Sequence, residues 1–155
     1  MKAVEEELMF QLSQMTQVWL PARAACEAAW QEKEKFHPSG EFIYLGNYCP
    51  FVSHLLDIEQ ENDCSGKLQY AIYLDEHGNH RVHSMPGKAS FSSRAPLSKA
   101  WRGLRNEELA KISGIDDIIF VHHAGFIGGA KSLQSAVKMG EISLAEIKKE
   151  EQPSE

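Results

Sequence analysis

The sequence has few of the features that mark secreted, membrane and disulfide-linked proteins. Its 155 residues include three cysteines, Cys26, Cys49 and Cys64, an odd number with no CxxC pair. This spacing predicts neither a disulfide framework nor a cysteine-based metal site, and it favours an intracellular reducing compartment. No apolar run is long enough to span a bilayer. Because the N-terminus carries acids where a signal peptide would be basic, we expect neither secretion nor a membrane partner.

The sequence also lacks the short motifs of several enzyme classes. It contains no HExxH or DHH, and no group of aspartates and histidines with the spacing of a metal site. It has no GxGxxG or Walker phosphate loop, and no GxSxG nucleophile elbow. We therefore predict that this chain by itself contributes no catalytic residue, no metal ligand and no bound cofactor.

Charge is distributed unevenly along the chain. The net charge is −6, which argues against a general affinity for nucleic acid. Between His77 and Arg105, however, the sequence has no acidic residue, and this arrangement predicts a local positive field. Arg102 and Arg105 follow Trp101 and have planar forks suited to phosphate or carboxylate groups. The alternative is that both arginines form ion pairs with the acids that follow them in sequence, Glu107, Glu108, Asp116 and Asp117.

The segment from Ile118 to Lys138 has the most distinctive pattern. Ile118–Val121 is an apolar run that predicts a central strand buried on both faces. After it come His122, then glycines at positions 125, 128 and 129, and then helical spacing from Lys131 onward. A strand, a glycine-rich loop and a helix start together suit an anion, because glycine allows close approach and helix N–H groups attract negative charge. The alternative is a tight turn without a ligand.

Apolar periodicity elsewhere predicts further helices and strands. We predict a long helix or helix pair over Glu5–Lys35, a helix at Pro50–Asp57, and a third helix from an Asn106 N-cap to a stop at Gly114. We predict strands at Phe42–Leu45 and, half-buried, at Lys67–Leu74, with a hairpin turn leading to Asn79–Met85.

Together these elements predict one domain over residues 1–148 and a charged tail over residues 149–155. The fold class is α+β (or α/β), with a small mixed sheet and helices packed on it.

Five segments in order resemble a known family. They are WLPAR at Trp19–Arg23, YCPF at Tyr48–Phe51, WRGLR at Trp101–Arg105, SGI at Ser113–Ile115 and FVHHAGFIGGAKS at Phe120–Ser132. Together they resemble the C-terminal half of the melanocyte-proliferating-gene family, metal-dependent exonuclease-like proteins also labelled metal-dependent protein hydrolases. The resemblance covers about Glu5 to Met139 and implies membership of the DHH phosphoesterase superfamily.

The resemblance implies a protein of two lobes. The N-terminal lobe would bind a divalent metal such as Mn and carry out hydrolysis, whereas this chain begins at the second lobe. That lobe resembles a DHH-associated domain, which uses a glycine-rich motif to hold the substrate. The sequence departs from the family pattern at Ala130, where relatives often have Asn or His, and this change removes a hydrogen-bonding side chain. The family also implies a location in mitochondrion, nucleus or cytoplasm.

Our interpretation is that the chain is the substrate-binding lobe of a phosphodiesterase or 3′–5′ RNA exonuclease-like protein. It would hold a nucleotide or RNA end through Arg102, Arg105, His122, Gly125, Gly128, Gly129 and Lys131. An alternative is a non-catalytic subunit that docks on a separate metal-binding lobe or self-associates. A third possibility, an independent hydrolase, has the least support.

Overall fold

The computed structural model describes residues 22–87 and 92–151. In this part of the chain, four α-helices and five strands form one small α+β domain, which confirms the predicted class. The helices are α1 at residues 22–36, α2 at Val52–Glu61, α3 at Asn106–Ser113 and α4 at Leu133–Glu151. The strands are β1 at Phe42–Asn47, β2 at Tyr70–Leu74, β3 at His80–Ser84, β4 at Ile118–Val121 and β5 at Ile127–Ala130.

The sheet is mixed, as predicted. Its strand order is β1-β2-β3-β5-β4; β1 and β2 are parallel, and every other neighbouring pair is antiparallel. The parallel pair needs a crossover, which α2 supplies. The β2–β3 hairpin has the predicted turn, in which the Asp75 carboxylate accepts hydrogen bonds from the backbone N–H groups of His77 and Asn79.

Two apolar clusters cover the two faces of the sheet. On one face, Tyr70, Val82 and Val121 pack with α4 and with buried residues of the segment before α3. On the other face, α1 and α2 pack over β1 and β2, with Cys26 and Leu55 buried between them. Because both faces of β2 are covered, it is fully buried along most of its length, and the prediction of a half-buried strand was wrong.

The predicted central strand, β4, lies at the edge of the sheet. The chain turns back after β4, and β5 is inserted between β4 and β3. The outer side of β4 is covered by an extended segment, in which Gly103 N–H donates to the Val121 carbonyl at 2.9 Å and Leu104 O accepts from Val121 N–H at 3.3 Å. Ile118 and Val121 are buried, but Ile119 and Phe120 are only partly buried, so the prediction of a central strand buried on both faces was wrong.

The helix boundaries agree with the sequence pattern only in part. The helix predicted at Pro50–Asp57 begins at Val52 and continues to Glu61. α3 spans the predicted residues, and Gly114 ends it in the left-handed conformation with φ 75°. Asn106, however, is not the N-cap, because Arg105 takes that position and Asn106 itself has φ 49°. The predicted helix pair over Glu5–Lys35 is helical from residue 22, and its earlier part, with Pro21, lies outside the described residues.

The segment that follows β3 is anchored near Arg94. Arg94 Nη1 donates to the buried Glu59 carboxylate and to the Leu68 carbonyl, both at 2.8 Å. Ala95 and Leu97 then enter the core. Among the helices of the described ranges, none combines the length and apolar character needed to cross a membrane.

Candidate functional site

The glycine-rich segment after β4 is a β-hairpin, which corrects the predicted order of strand, glycine loop and helix. Gly128 and Gly129 lie in β5 and pair with β3 on one side and β4 on the other. A Cβ atom added to Gly128 would lie 2.8 Å from both Leu97 Cδ1 and Met139 Cε. Gly128 therefore lets the sheet approach the core closely, and the backbones of both glycines pair in the strand ladder.

We call the region where β5 leads into the start of α4 the helix end of β5. An anionic side chain of the same chain, that of Asp117, already occupies this region. Asp117 Oδ2 accepts a hydrogen bond from Ser132 N–H at 2.9 Å, and its Oδ1 accepts one from the Ser135 hydroxyl. Burial acts to raise the pKa of Asp117, but the hydrogen bonds from Ser135 and Ser132 outweigh it and hold the pKa below its ordinary value. The aspartate thus takes the position that the sequence pattern predicted for a ligand.

Lys131 lies at this helix end with an exposed side chain. Its backbone N–H donates to the Asp117 carbonyl at 3.0 Å. Strand β5 separates it from the turn that contains His122 and Gly125. The structure therefore does not bring Lys131 together with the other predicted residues.

Three predicted residues do come together at the opposite end of the hairpin, which we call the turn end of β5. Gly125 has φ 77°, and a Cβ atom added to it would lie 2.6 Å from Arg102 Nε. Arg102 Nε donates to the Leu97 carbonyl at 3.0 Å. His122 Nδ1 accepts from Ala124 N–H at 3.0 Å, so in the neutral ring the proton is on Nε2. Arg102 therefore lies directly over the turn that carries His122.

The two histidines of this turn lie close together. His122 and His123 follow β4, and their ring centroids are 4.2 Å apart. Leaving the strand removes the alternation of side chains, which allows adjacent rings to meet.

The basic residues of the acid-free stretch differ in whether they have partners. Arg81 pairs with Asp75 at 3.4 Å and Arg94 with Glu59 at 2.8 Å. Within the described residues, Arg102 and Arg105 make no ion pair with a carboxylate. Arg105 is exposed, and its backbone bridges to Phe120 beside β4. The alternative of ion pairing with nearby acids is therefore not seen for either side chain, and a role of both in substrate binding stays a prediction.

A row of aromatic rings leads away from the turn end, and the sequence analysis missed it. The row, which we call the aromatic row, connects neighbouring rings with centroid distances between 4.2 and 5.8 Å, in the order Tyr48, Tyr73, Phe51, His83, Phe126, His122 and His123. Tyr48 is 61% exposed and Phe126 is 37% exposed. The rings come from distant segments, so spacing along the sequence gave no signal of the row.

Two adjoining pockets open along the aromatic row. The first has a volume of about 370 Å³ and lies between the start of α2, the end of β3 and the turn of the β4–β5 hairpin. The second has a volume of about 570 Å³ and extends toward Tyr48. Val52, His83 and Phe126 line both pockets. The described side chains form no group of three or more His, Cys, Asp or Glu that could hold a metal ion.

Comparisons with known proteins identify relatives over most of the chain. The profile MYG1_exonuc, described as "Uncharacterised protein family (UPF0160)", matches residues 1–144. The chain is 40% identical over 148 residues to MYG1 exonuclease of Rattus norvegicus and 39% identical over 148 residues to MYG1 exonuclease of Homo sapiens. It is 39% identical over 130 residues to MYG1 protein YER156C of Saccharomyces cerevisiae. No solved structure matches the chain.

The chain covers only part of each relative. The matches include 94% of this chain but 39% of the rat and human proteins, and 83% of this chain but 38% of the yeast protein. A match over residues 1–144 is nearly the whole chain, and the motifs at Trp101–Arg105 and Phe120–Ser132 lie inside it. The chain therefore belongs to the MYG1 family, described as uncharacterised protein family UPF0160.

Proposed function

We propose that this chain is the substrate-binding part of an exonuclease-type protein and that it holds the end of an RNA strand. Hydrolysis would be carried out by a separate lobe. Two relatives carry the name exonuclease, and the chain spans 39% of their length. The observation that carries the proposal is the aromatic row, which ends in the turn where Arg102 lies against Gly125. Arg102 has no carboxylate partner among the described residues.

The exposed rings of the aromatic row have the chemistry of a surface for unpaired bases, whereas Phe51 and Tyr73 are buried beneath it. Bases of a single strand stack on aromatic side chains, and each such contact contributes about 1–3 kcal/mol. Tyr48 and Phe126 are both exposed and lie toward opposite ends of the row. A strand along the row could therefore contact more than one ring.

Arg102 has the chemistry to contact a phosphate next to those bases. Its Nε–H donates a hydrogen bond to the Leu97 carbonyl, and this contact orients the guanidinium. The two terminal nitrogens have no carboxylate partner in the described residues, so they remain available for two phosphate oxygens. His122, with its Nε2–H directed away from the turn contact at Nδ1, can donate a further hydrogen bond.

The divalent metal implied by the family does not fit the described residues, because they contain no suitable group of ligands. We assign metal binding and hydrolysis to the part of the longer relatives that this chain does not cover. The DHH-associated domain that the sequence resemblance implies stays a prediction and would give the same division of roles. An intracellular location agrees with the three free cysteines and stays a prediction.

The test compares Arg102→Ala with Lys131→Ala, an exposed lysine at the helix end. Binding of a fluorescein-labelled single-stranded RNA to the whole chain would be measured by anisotropy at about 50 and 200 mM salt. Loss of a charge-assisted contact of about 1.5–3 kcal/mol predicts roughly a ten- to hundredfold weaker affinity for Arg102→Ala. Its plot of log affinity against log salt should become shallower by about 0.7.

Lys131→Ala should bind like the parent chain. Equal affinity of the parent and a folded Arg102→Ala variant would contradict the proposal, as would an equal loss in both variants. Circular dichroism of each variant shows whether the fold is retained.

A second candidate function is docking onto a separate catalytic lobe through the same surface. Exposed Tyr48 and Phe126 beside two open pockets also suit a protein partner. Sedimentation of the chain with the remainder of a full-length relative would detect such a complex. A complex that forms equally well with Tyr48→Ala and Phe126→Ala would count against docking at this surface.

A further inference from the structure

We propose that the first pocket, between the start of α2 and the hairpin turn, binds a single nucleobase of the strand end. We call it the base pocket; its lining residues are Val52, His83, Ser84, Pro86, Ser92, Ser93, Ala124 and Phe126. The inference rests on the proposed function and names the part of the substrate that this surface recognises.

The size and lining of the base pocket suit a planar heteroaromatic ring. Its volume of about 370 Å³ lies in the range of pockets that bind small ligands, which are about 300–1,000 Å³. Val52, Pro86 and Phe126 give it apolar walls, while serines provide a few polar groups. Ser84 is buried, and its hydroxyl accepts a hydrogen bond from Ala95 N–H at 3.2 Å, so this wall is held by the core.

Phe126 supplies the aromatic surface of the base pocket. The His83 ring lies 5.5 Å from it at an interplanar angle of 73°, and the His122 ring lies 4.6 Å from it at 62°. Neither histidine is stacked parallel to Phe126, and Phe126 is 37% exposed as a residue. The flanking rings thus restrict Phe126 while leaving surface for contact with a base.

His83 supplies a hydrogen-bond acceptor. The Ser84 carbonyl can only accept, so the 2.8 Å contact requires a proton on His83 Nδ1 and leaves a lone pair on Nε2 of the neutral ring. Burial lowers the pKa of His83, and the hydrogen bond to Ser84 opposes this only in part, so the ring is neutral near pH 7. Nε2 has no hydrogen-bond partner within residues 22–87 and 92–151. The N–H groups on the edge of a base would supply one.

The base pocket is continuous with the predicted phosphate contact. Ala124 and Phe126 line the pocket, and Gly125 between them contacts Arg102. A base held by Phe126 and a phosphate held by Arg102 could therefore belong to one strand that lies beside this single turn.

The test separates the base from the phosphate by using three probes with the whole 155-residue chain: adenosine 5′-monophosphate, ribose 5-phosphate and adenosine. Affinities would be measured by calorimetry. A stacked base should make the monophosphate bind about tenfold or more tightly than ribose 5-phosphate. Phe126→Leu keeps an apolar side chain but removes the ring, and it should reduce this ratio severalfold. His83→Phe keeps a ring but removes the acceptor, and it should weaken adenosine binding severalfold.

Ile112→Ala is the matched control, because Ile112 is 52% exposed on α3 and lines neither pocket. It should leave every affinity unchanged. If the parent chain binds the monophosphate and ribose 5-phosphate equally well, the base pocket is refuted. An unchanged ratio in folded Phe126→Leu refutes it equally.

The same measurements distinguish the base pocket from the proposed function. Suppose that ribose 5-phosphate binds, that Arg102→Ala weakens its binding, and that adenosine 5′-monophosphate binds no more tightly. The phosphate contact is then supported and the base pocket is refuted. If adenosine binds and Arg102→Ala leaves monophosphate binding unchanged, the base pocket stands and the phosphate contact falls. Absence of binding by all three probes overturns both.

Discussion

The two ends of strand β5 differ in whether a positively polarised group has an anionic partner inside the molecule. That group is the start of α4 at one end and Arg102 at the other. At the helix end, Asp117 accepts hydrogen bonds from Ser132 and Ser135, so the start of α4 is already satisfied. At the turn end, Arg102 lies over Gly125 with no carboxylate partner among the described residues. A pattern that suits an anion therefore marks an available site only if no other segment supplies the counter-charge.

The glycines of the hairpin show the same contrast. Gly125 needs its positive φ and lies against Arg102, so it shapes the turn end. Gly128 faces Leu97 and Met139 in the core. A substitution at Gly125 should therefore affect ligand binding, whereas a substitution at Gly128 should affect folding.

The largest expected effect is that of Gly128→Val. A side chain there would meet Leu97 and Met139, and the Cβ atom would lie 3.0 Å from the Phe120 carbonyl oxygen, which cannot move without disturbing β4. We expect a loss of about 1–3 kcal/mol or more in the free energy of unfolding, measured by urea denaturation. Full stability of the variant would show that β5 is not packed against the core as described.

A smaller effect is expected from Asp117→Asn at the helix end. The loss should be about 1 kcal/mol at neutral pH, because the anionic cap of α4 is removed. The folded-state pKa of Asp117 is lowered, so its contribution is complete above the unfolded value of about 3.9 and is lost as the pH falls through the folded pKa.

The stability difference between the parent chain and Asp117→Asn should therefore shrink below about pH 4. Thermal melting of both proteins across pH 3–7 (an approximate range, set by the titration of aspartate) measures this difference. A difference that stays constant with pH would contradict the role of the charged carboxylate. RNA affinity should be unchanged in the folded variant.

The smallest effect is expected from Lys131→Ala. The side chain is exposed, and its contacts with Asp117 and His80 are made by backbone atoms. Its unfolding free energy should change by less than about 0.5 kcal/mol. If Lys131→Ala instead weakened RNA binding as much as Arg102→Ala, the contrast between the two ends of β5 and the site proposed at the turn end would both be contradicted.

Local sequence patterns determined most of the elements of this protein. Gly114 ends α3 as predicted, because a left-handed C-cap is a local requirement of the backbone. The Asp75–Gly78 turn and the two strands that it joins could also be predicted from the sequence. Alternation of apolar residues and the residue preferences of turns both act over a few residues. The motifs at Trp101–Arg105 and Phe120–Ser132 were sufficient to indicate the family.

Tertiary structure alone decided where those elements lie and which of their groups are available. The apolar run Ile118–Val121 could not report that β5 would be inserted beside it, because burial does not specify the neighbouring strand. Asp117 meets Ser132, and Phe51 meets His83, only after segments far apart in sequence have packed together. Short-range periodicity carries no information about such pairs, so the filled helix end, the open turn end and the aromatic row exist only in the folded chain.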